Sequence, residues 1–214
     1  MTVGNRRALM LDHEDSFVFN LVDELRALEF EVQTIRATTS LDGLQRTIAR
    51  IDPGVVILSP GPGHPSDPSR VTIPWLSTDP RIPILGICLG HQALAVAEGS
   101  QIGRSSRPVH GQATAVDWHA TSRVPLESLE PTLHRPFGRY HSLVVKKPLP
   151  ASLETLATCR DERGEELVMA LSHRHRPRVG LQFHPESILS PEGSRVLRGL
   201  LYGLTESTHQ VTNR

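Results

Sequence analysis

The sequence predicts an α/β fold: an open, mostly parallel β-sheet flanked by helices, with additional β-strands in the second half. Three observations lead there. Short apolar runs alternate with segments of helical periodicity through residues 8–98. Loops rich in glycine and proline fall where those apolar runs end. Beyond residue 110 the apolar runs stay short and β-like, with few helical intervals between them.

Ala8-Leu9-Met10-Leu11 reads as the first strand and ends at Asp12. Phe17, Leu21, Leu25 and Leu28 then recur at helical spacing behind a cap at Asp15 or Ser16. Val32 to Ile35 is a second strand, and Leu41 to Ile51 a helix with apolar positions at 41, 44, 48 and 51. Val55 to Leu58 is a third strand, fully buried because it has no polar alternate. A Pro/Gly-rich loop follows, then a strand over 82–87 and a helix over 91–98. In the second half Ala113 to Trp118, His141 to Lys146, Thr155 to Thr158, Leu167 to Leu171 and Val179 to Phe183 are strands that extend the sheet or form a side layer. The stretch 117–138, with Pro125, Pro131 and Pro136, is expected to be loop. A last helix is expected over 191–203, with Ser190 as N-cap and Pro191 in the first helical position.

The chain has 214 residues, 38% of them hydrophobic, which suits a single domain over 1–204 followed by a polar tail, 205–214, that frays. Lys plus Arg equals Asp plus Glu at 23 each, so no net field draws nucleic acid or an anionic membrane. The start carries no signal-peptide core and no run approaches the ~18 apolar residues of a membrane span, so a cytoplasmic protein is expected. The two cysteines, Cys88 and Cys159, are far apart in a chain with no sign of export, which makes both free thiols. His173-Arg174-His175 is the nearest thing to a metal motif; with no second cluster at ligand spacing, no metal is expected.

Ligands of open α/β sheets bind where loops leave the carboxyl ends of strands, and each unusual motif falls at such an end. Gly86-Ile87-Cys88-Leu89-Gly90 has the form of a nucleophile elbow, a sharp strand-to-helix turn that displays its central side chain. At the head of a helix the thiol also meets unpaired N–H groups and the positive end of the dipole, which favour thiolate. The backbone N–H of Leu89 is placed to receive an oxyanion, and the loop Ser59-Pro60-Gly61-Pro62-Gly63 offers a second donor at Gly61. A nucleophilic cysteine needs a base held by a carboxylate. His184 and Glu186, two apart in a segment read as extended, point to one side and complete a Cys88, His184, Glu186 triad.

The motifs "SPGPG" (59–63), "GICLGHQ" (86–92), "RYHSLVV" (139–145) and "FHPES" (183–187) closely resemble those of the class I (triad) glutamine amidotransferases, over roughly residues 8–203. That resemblance implies a flavodoxin-like sheet and hydrolysis of L-glutamine through a thioester on Cys88, with His184 as proton shuttle and Glu186 orienting it. It also implies glutamine contacts at Gly61, Pro62, Gly63, Leu89, Gln92, Ser142 and Leu143. Within the family, "LDHEDSFVFNL" (11–21) and "QFHPESILSPEG" (182–193) are similar to the small subunits of chorismate-using enzymes, anthranilate synthase first and its relative in 4-aminobenzoate synthesis second. The implied partners are therefore glutamine and a larger chorismate-binding synthase that consumes the ammonia. No cofactor is implied in this chain, and Mg2+ in the partner. A free-standing γ-glutamyl hydrolase is the more distant alternative. Two departures stand out: His13-Glu14 where many relatives have Asn-Tyr, and Gln112 where they have lysine.

Overall fold

Strand residues alternate between two apolar layers. In the computed structural model, which describes residues 5–122, 124, 129 and 135–206, Ala8 and Met10 belong to one layer and Leu9 and Leu11 to the other, and none of the four is exposed. A strand buried on both sides needs helices on both faces, and the order of elements supplies them. The chain runs β1 (Arg7–Asp12), α1 (Val18–Ala27), β2 (Glu31–Arg36), α2 (Leu41–Ile51), β3 (Val55–Leu58), α3 (Thr72–Leu76), β4 (Ile84–Ile87), α4 (Leu89–Ala97), β5 (Ile102–Arg104), β6 (Gln112–Ala115), β7 (Asp117–Trp118), β8 (Pro136–Arg139), β9 (Leu143–Val145), β10 (Leu153–Arg160), β11 (Glu166–His173), β12 (Arg178–Leu181) and α5 (Gly193–Glu206).

The main sheet has eight strands in the order β2-β1-β3-β4-β12-β11-β10-β7. The first five pair in parallel, while β11, β10 and β7 continue the sheet antiparallel. Helices α1 and α5 cover one face through Leu21, Leu25, Leu197 and Leu200, against Met10, Ile57 and Leu85. Helices α2, α3 and α4 cover the other through Leu44, Trp75 and Leu94, against Leu11, Val56 and Leu58. Each such leucine contributes roughly 1.5–3 kcal/mol by leaving water. Two small ribbons, β5-β9 and β6-β8, lie beside the sheet, so the second half both extends it and adds a side layer.

Several boundaries differ from the sequence reading, each for a local reason. Helix α1 has Phe17, not Asp15 or Ser16, at its N-cap; Asp15 instead accepts a bond from Phe17 N at 2.8 Å, turning the chain into the helix. Helix α2 starts where expected, with Ser40 Oγ accepting from Gly43 N at 3.1 Å, and stops at Asp52, whose left-handed conformation precedes Pro53. The short α3 lay inside what reads as loop, because it is too brief for periodicity to register and holds Pro74 in its first turn, where no N–H is needed. The run 113–118 is split between β6 and β7, which lie in different sheets. Within the expected loop 117–138, both Asp117–Trp118 and Pro136–Arg139 are strands; Pro125 and Pro131 lie outside the described residues.

At the C-terminal end, α5 begins at Gly193 rather than Pro191 and continues through Thr205 and Glu206 into the expected tail. Ser190 does not cap it. Its hydroxyl donates to His184 O at 2.6 Å and accepts from Gly138 N at 2.9 Å, a demand set by the neighbouring site. Residues 207–214 of the expected tail lie outside the described residues.

Candidate active site

The carboxyl ends of β3, β4 and β12 lie side by side, and the loops leaving β3 and β4 meet residues 140–143 around one cavity. Strand β4 ends at Ile87 and α4 begins at Leu89, so the whole reversal falls on Cys88. Its φ of 50° and ψ of −97° are a conformation that costs a residue with a Cβ of order 1–3 kcal/mol. A bond from Cys88 N to Leu181 O at 2.7 Å fixes the turn to β12. The flanking glycines answer to contact. A Cβ on Gly86 would stand 2.5 Å from the Gly90 carbonyl, and one on Gly90 would stand 2.2 Å from Leu58 O. The helix can therefore start this close to the sheet only with glycine on both sides of the cysteine.

His184 follows β12, and Glu186 reaches it through a turn rather than the extended segment expected. Ser187 N bonds back to His184 O at 3.2 Å, with Pro185 in the turn position that suits its fixed φ. The outcome is the same pairing: His184 Nδ1 lies 2.7 Å from Glu186 Oε1, with side-chain exposures of 2% and 0%. The backbone of His184 is held on both sides, by Gly138 O, which accepts from its N–H at 2.9 Å, and by the Ser190 hydroxyl. Phe17 and Tyr140 stand against the ring, with centroids at 5.3 and 5.1 Å. Burial pushes the imidazole pKa down, but Cys88 and Glu186 outweigh it and raise the ring to about 10. Its Nε2 is buried without a conventional hydrogen bond among the described residues. The result is an imidazolium held between the Glu186 carboxylate and the Cys88 sulfur.

The cavity holds about 150 Å³, the share of about five liquid waters. Gly61, Pro62, Gly63, Cys88, Leu89, Gln92, Tyr140, His141, Ser142 and Leu143 line it, which brings together all seven residues expected to contact substrate. Gly61 packs so closely that a Cβ would lie 2.5 Å from His13 Cβ and 2.9 Å from Leu89 Cδ2, which places the two expected oxyanion donors on adjoining walls. A larger cavity of about 300 Å³ lies beside Asn5, Pro53, Gly54, Pro83 and Thr205, at the amino ends of the strands, and among the described residues its lining holds no cysteine, histidine or carboxylate.

Sequence reasoning missed Phe17, Tyr140, His141 and Gln182. Phe17 looked like one more residue on the core face of α1. Tyr140 and His141 stood inside a recognised motif, but nothing in their spacing marks them. His141 donates from Nδ1 to Leu143 O at 3.0 Å and accepts from Arg139 Nε at 3.1 Å. Burial, with Arg139 second, pushes it down to about 3, so it is a neutral strut. His13, the departure at 13, bonds Ser59 Oγ at 3.2 Å and Thr72 Oγ1 at 2.7 Å beneath the glycine loop; burial and then Arg70 push it down to about 4. Glu14 is exposed and pairs with Arg36. Gln112 is exposed on β6 opposite Arg139, outside the cavity. His173 Nδ1 is occupied by the N–H groups of His175 and Arg176, at 2.9 and 3.0 Å. Among the described residues no three His, Cys, Asp or Glu side chains gather as a metal site, and no helix is long and apolar enough to cross a membrane.

Residues 9–203 match the family model described as glutamine amidotransferase class-I. The chain is 40% identical over 201 residues to "Anthranilate synthase component II" of Haloarcula marismortui, covering 92% of each. It is also 40% identical over 195 residues to "Anthranilate synthase component 2, pyocyanine specific" of Pseudomonas aeruginosa, covering 91% of this chain and 92% of that one. Among solved structures, a glutamine amidotransferase from Thermotoga maritima shares the fold with a TM-score of 0.64 at 19% identity, over 95% of this chain and 97% of that one.

Proposed function

Because the chain belongs to the class I glutamine amidotransferases, we propose that it hydrolyses L-glutamine with Cys88, His184 and Glu186 and passes the ammonia to a larger chorismate-binding partner that forms anthranilate. The observation that carries the chemistry is the 2.7 Å His184–Glu186 pair beside a cysteine displayed on an elbow that lines the cavity. The Cys88 thiolate attacks the carboxamide carbon of glutamine, forming the C–S bond and pushing charge onto the oxygen. The N–H of Leu89 and the peptide at Gly61 receive that charge. The His184 imidazolium gives its proton to the leaving nitrogen, the C–N bond breaks, and ammonia departs. Now neutral, His184 takes a proton from water; the hydroxide adds to the thioester, the C–S bond breaks, and glutamate leaves with the thiolate restored. Glu186 stays ionised throughout and holds the ring by Nδ1.

The choice of partner rests on the relatives. Both the Haloarcula and the Pseudomonas proteins are named as components of anthranilate synthase, and each matches over more than nine-tenths of its length. Two large apolar side chains near the site support a docking face there: Ile188, two residues past Glu186, is 95% exposed, and Phe19, two past Phe17, is 77% exposed. The test is glutamate release over a range of glutamine concentrations, for the chain alone, with a chorismate-binding partner, and with partner plus chorismate. Partner and chorismate should raise kcat more than they lower KM, and the product should be anthranilate. Aminodeoxychorismate as product would reassign the partner. A chain fully active alone and indifferent to any partner would be a free-standing hydrolase.

A further inference from the structure

Glutamine hydrolysis by the triad leaves Gln182 without a part, yet the residue touches the reacting atom. It sits just past the end of β12 with 0% exposure and donates through Nε2 to Cys88 Sγ at 3.7 Å. Its orientation is set from behind. Gln92 Nε2 donates to Gln182 Oε1 at 3.1 Å and to Leu143 O at 3.0 Å. With both Gln92 hydrogens directed at oxygens, the end of Gln182 that meets Gln92 must be its carbonyl, and the end that meets the sulfur must be its amino group.

We propose that Gln182 is a catalytic residue of this chain, whose amide N–H holds the Cys88 sulfur in its negative form, and that Gln92 is the positioning residue that keeps that amide correctly turned. The inference rests on the glutaminase reading and goes beyond it. A donor-only contact distinguishes two states of the sulfur: a thiolate is a strong acceptor, while a neutral thiol or a thioester sulfur is a weak one. The same bond therefore favours the attacking thiolate before the first step and the departing thiolate in the second. The contact reaches the sulfur from behind the cavity wall, because Cys88, Gln92 and Leu143 line the cavity and Gln182 does not.

The experiment is iodoacetamide labelling of Cys88 against pH in the full chain, read by mass spectrometry with Cys159 as internal reference, alongside glutamate release. Gln182→Leu keeps the volume and removes the donor. Gln182→Glu keeps the shape and, once ionised, sets a negative charge against the sulfur. In Gln182→Leu, labelling near pH 6 should fall about tenfold while the limiting rate at high pH stays unchanged, and kcat should fall more than KM rises. Gln182→Glu should displace the profile further to high pH, and it decides the matter by itself if the leucine variant does not fold. Gln92→Leu should give a smaller displacement in the same direction. Profiles of both Gln182 variants that superimpose on the parent, with Cys88 still labelled ahead of Cys159, would overturn the proposal. A parent chain that labels both cysteines at one rate would overturn the glutaminase reading beneath it.

Discussion

Glu186 Oε1 lies 2.7 Å from His184 Nδ1, and neither side chain reaches solvent. The carboxylate thus holds the ring in one tautomer and favours its proton. Glu186→Gln should lower kcat by up to roughly 10⁴, the scale of losing the correct tautomer. Glu186→Ala should retain more activity than His184→Ala, since the base itself survives. The pair also carries a stability signature. A histidine raised to about 10 from its ordinary 6.5 contributes stability that is complete below pH 6.5 and is lost as pH rises through about 10. Urea midpoints measured from pH 6 to 11 should fall across that window, and in Glu186→Gln the fall should be smaller and end at lower pH.

The two cysteines should react at different rates although both are nearly buried. Burial pushes the Cys159 thiol up, whereas Cys88 stands at a helix N-terminus beside the His184 imidazolium. Iodoacetamide at pH 7 should label Cys88 first, and prior incubation with glutamine should slow that labelling. Equal rates would remove the basis for an activated nucleophile.

Four other buried histidines among the described residues favour the neutral state. His13 and His91 are pushed down to about 4, His141 to about 3, and His173 is lowered as well, with burial the largest cause in every case. The unfolded chain therefore binds more protons than the folded one below pH 6.5, so stability is complete above that pH and is lost as pH falls towards 4. His91→Phe should flatten that decline if the ring is accommodated in its packed site. Denaturant midpoints between pH 7 and 4 provide the measurement.

Ser190 holds the backbone of His184 from one side and that of Gly138 from the other. Ser190→Ala takes the hydroxyl away from the buried Gly138 N–H and leaves His184 O with only the Ser187 N–H, which should destabilise the fold by about 1–3 kcal/mol. Activity should fall as well, because the carbonyl that loses a bond belongs to His184. Urea unfolding and glutamate release on one preparation separate the two effects.

Ile188 should matter to the partner and not to the chemistry. Its side chain is exposed and is absent from the cavity wall. Ile188→Asp should weaken partner-stimulated turnover while leaving the partner-free rate within about twofold. A fall in the partner-free rate alone would place Ile188 in the site instead.

How far the sequence carries depends on how local each signal is. The β1, β3 and β4 strands were legible because runs such as Val55-Val56-Ile57-Leu58 bury both faces, and α2 because its apolar positions 41, 44, 48 and 51 keep helical spacing. Cys88 was legible because glycines on both sides of a cysteine at a strand end have a steric reason to be there. Gln182 was not, since its meaning lies in contacts with residues 90 and 94 positions away. The helix start after Ser190 was misplaced for the same reason: a serine before a proline looks like a cap, and only the folded chain shows its hydroxyl committed to His184 and Gly138.

The central claim is a covalent glutamyl intermediate on Cys88. Acid quenching during steady-state glutamine turnover, followed by intact and peptide mass spectrometry, reads it directly. One glutamyl group should appear on the peptide carrying Cys88, vanish on treatment with hydroxylamine, and be absent from Cys88→Ala, which should release no glutamate above background. Continued glutamate release by Cys88→Ala, with no adduct on the parent chain, would contradict the account.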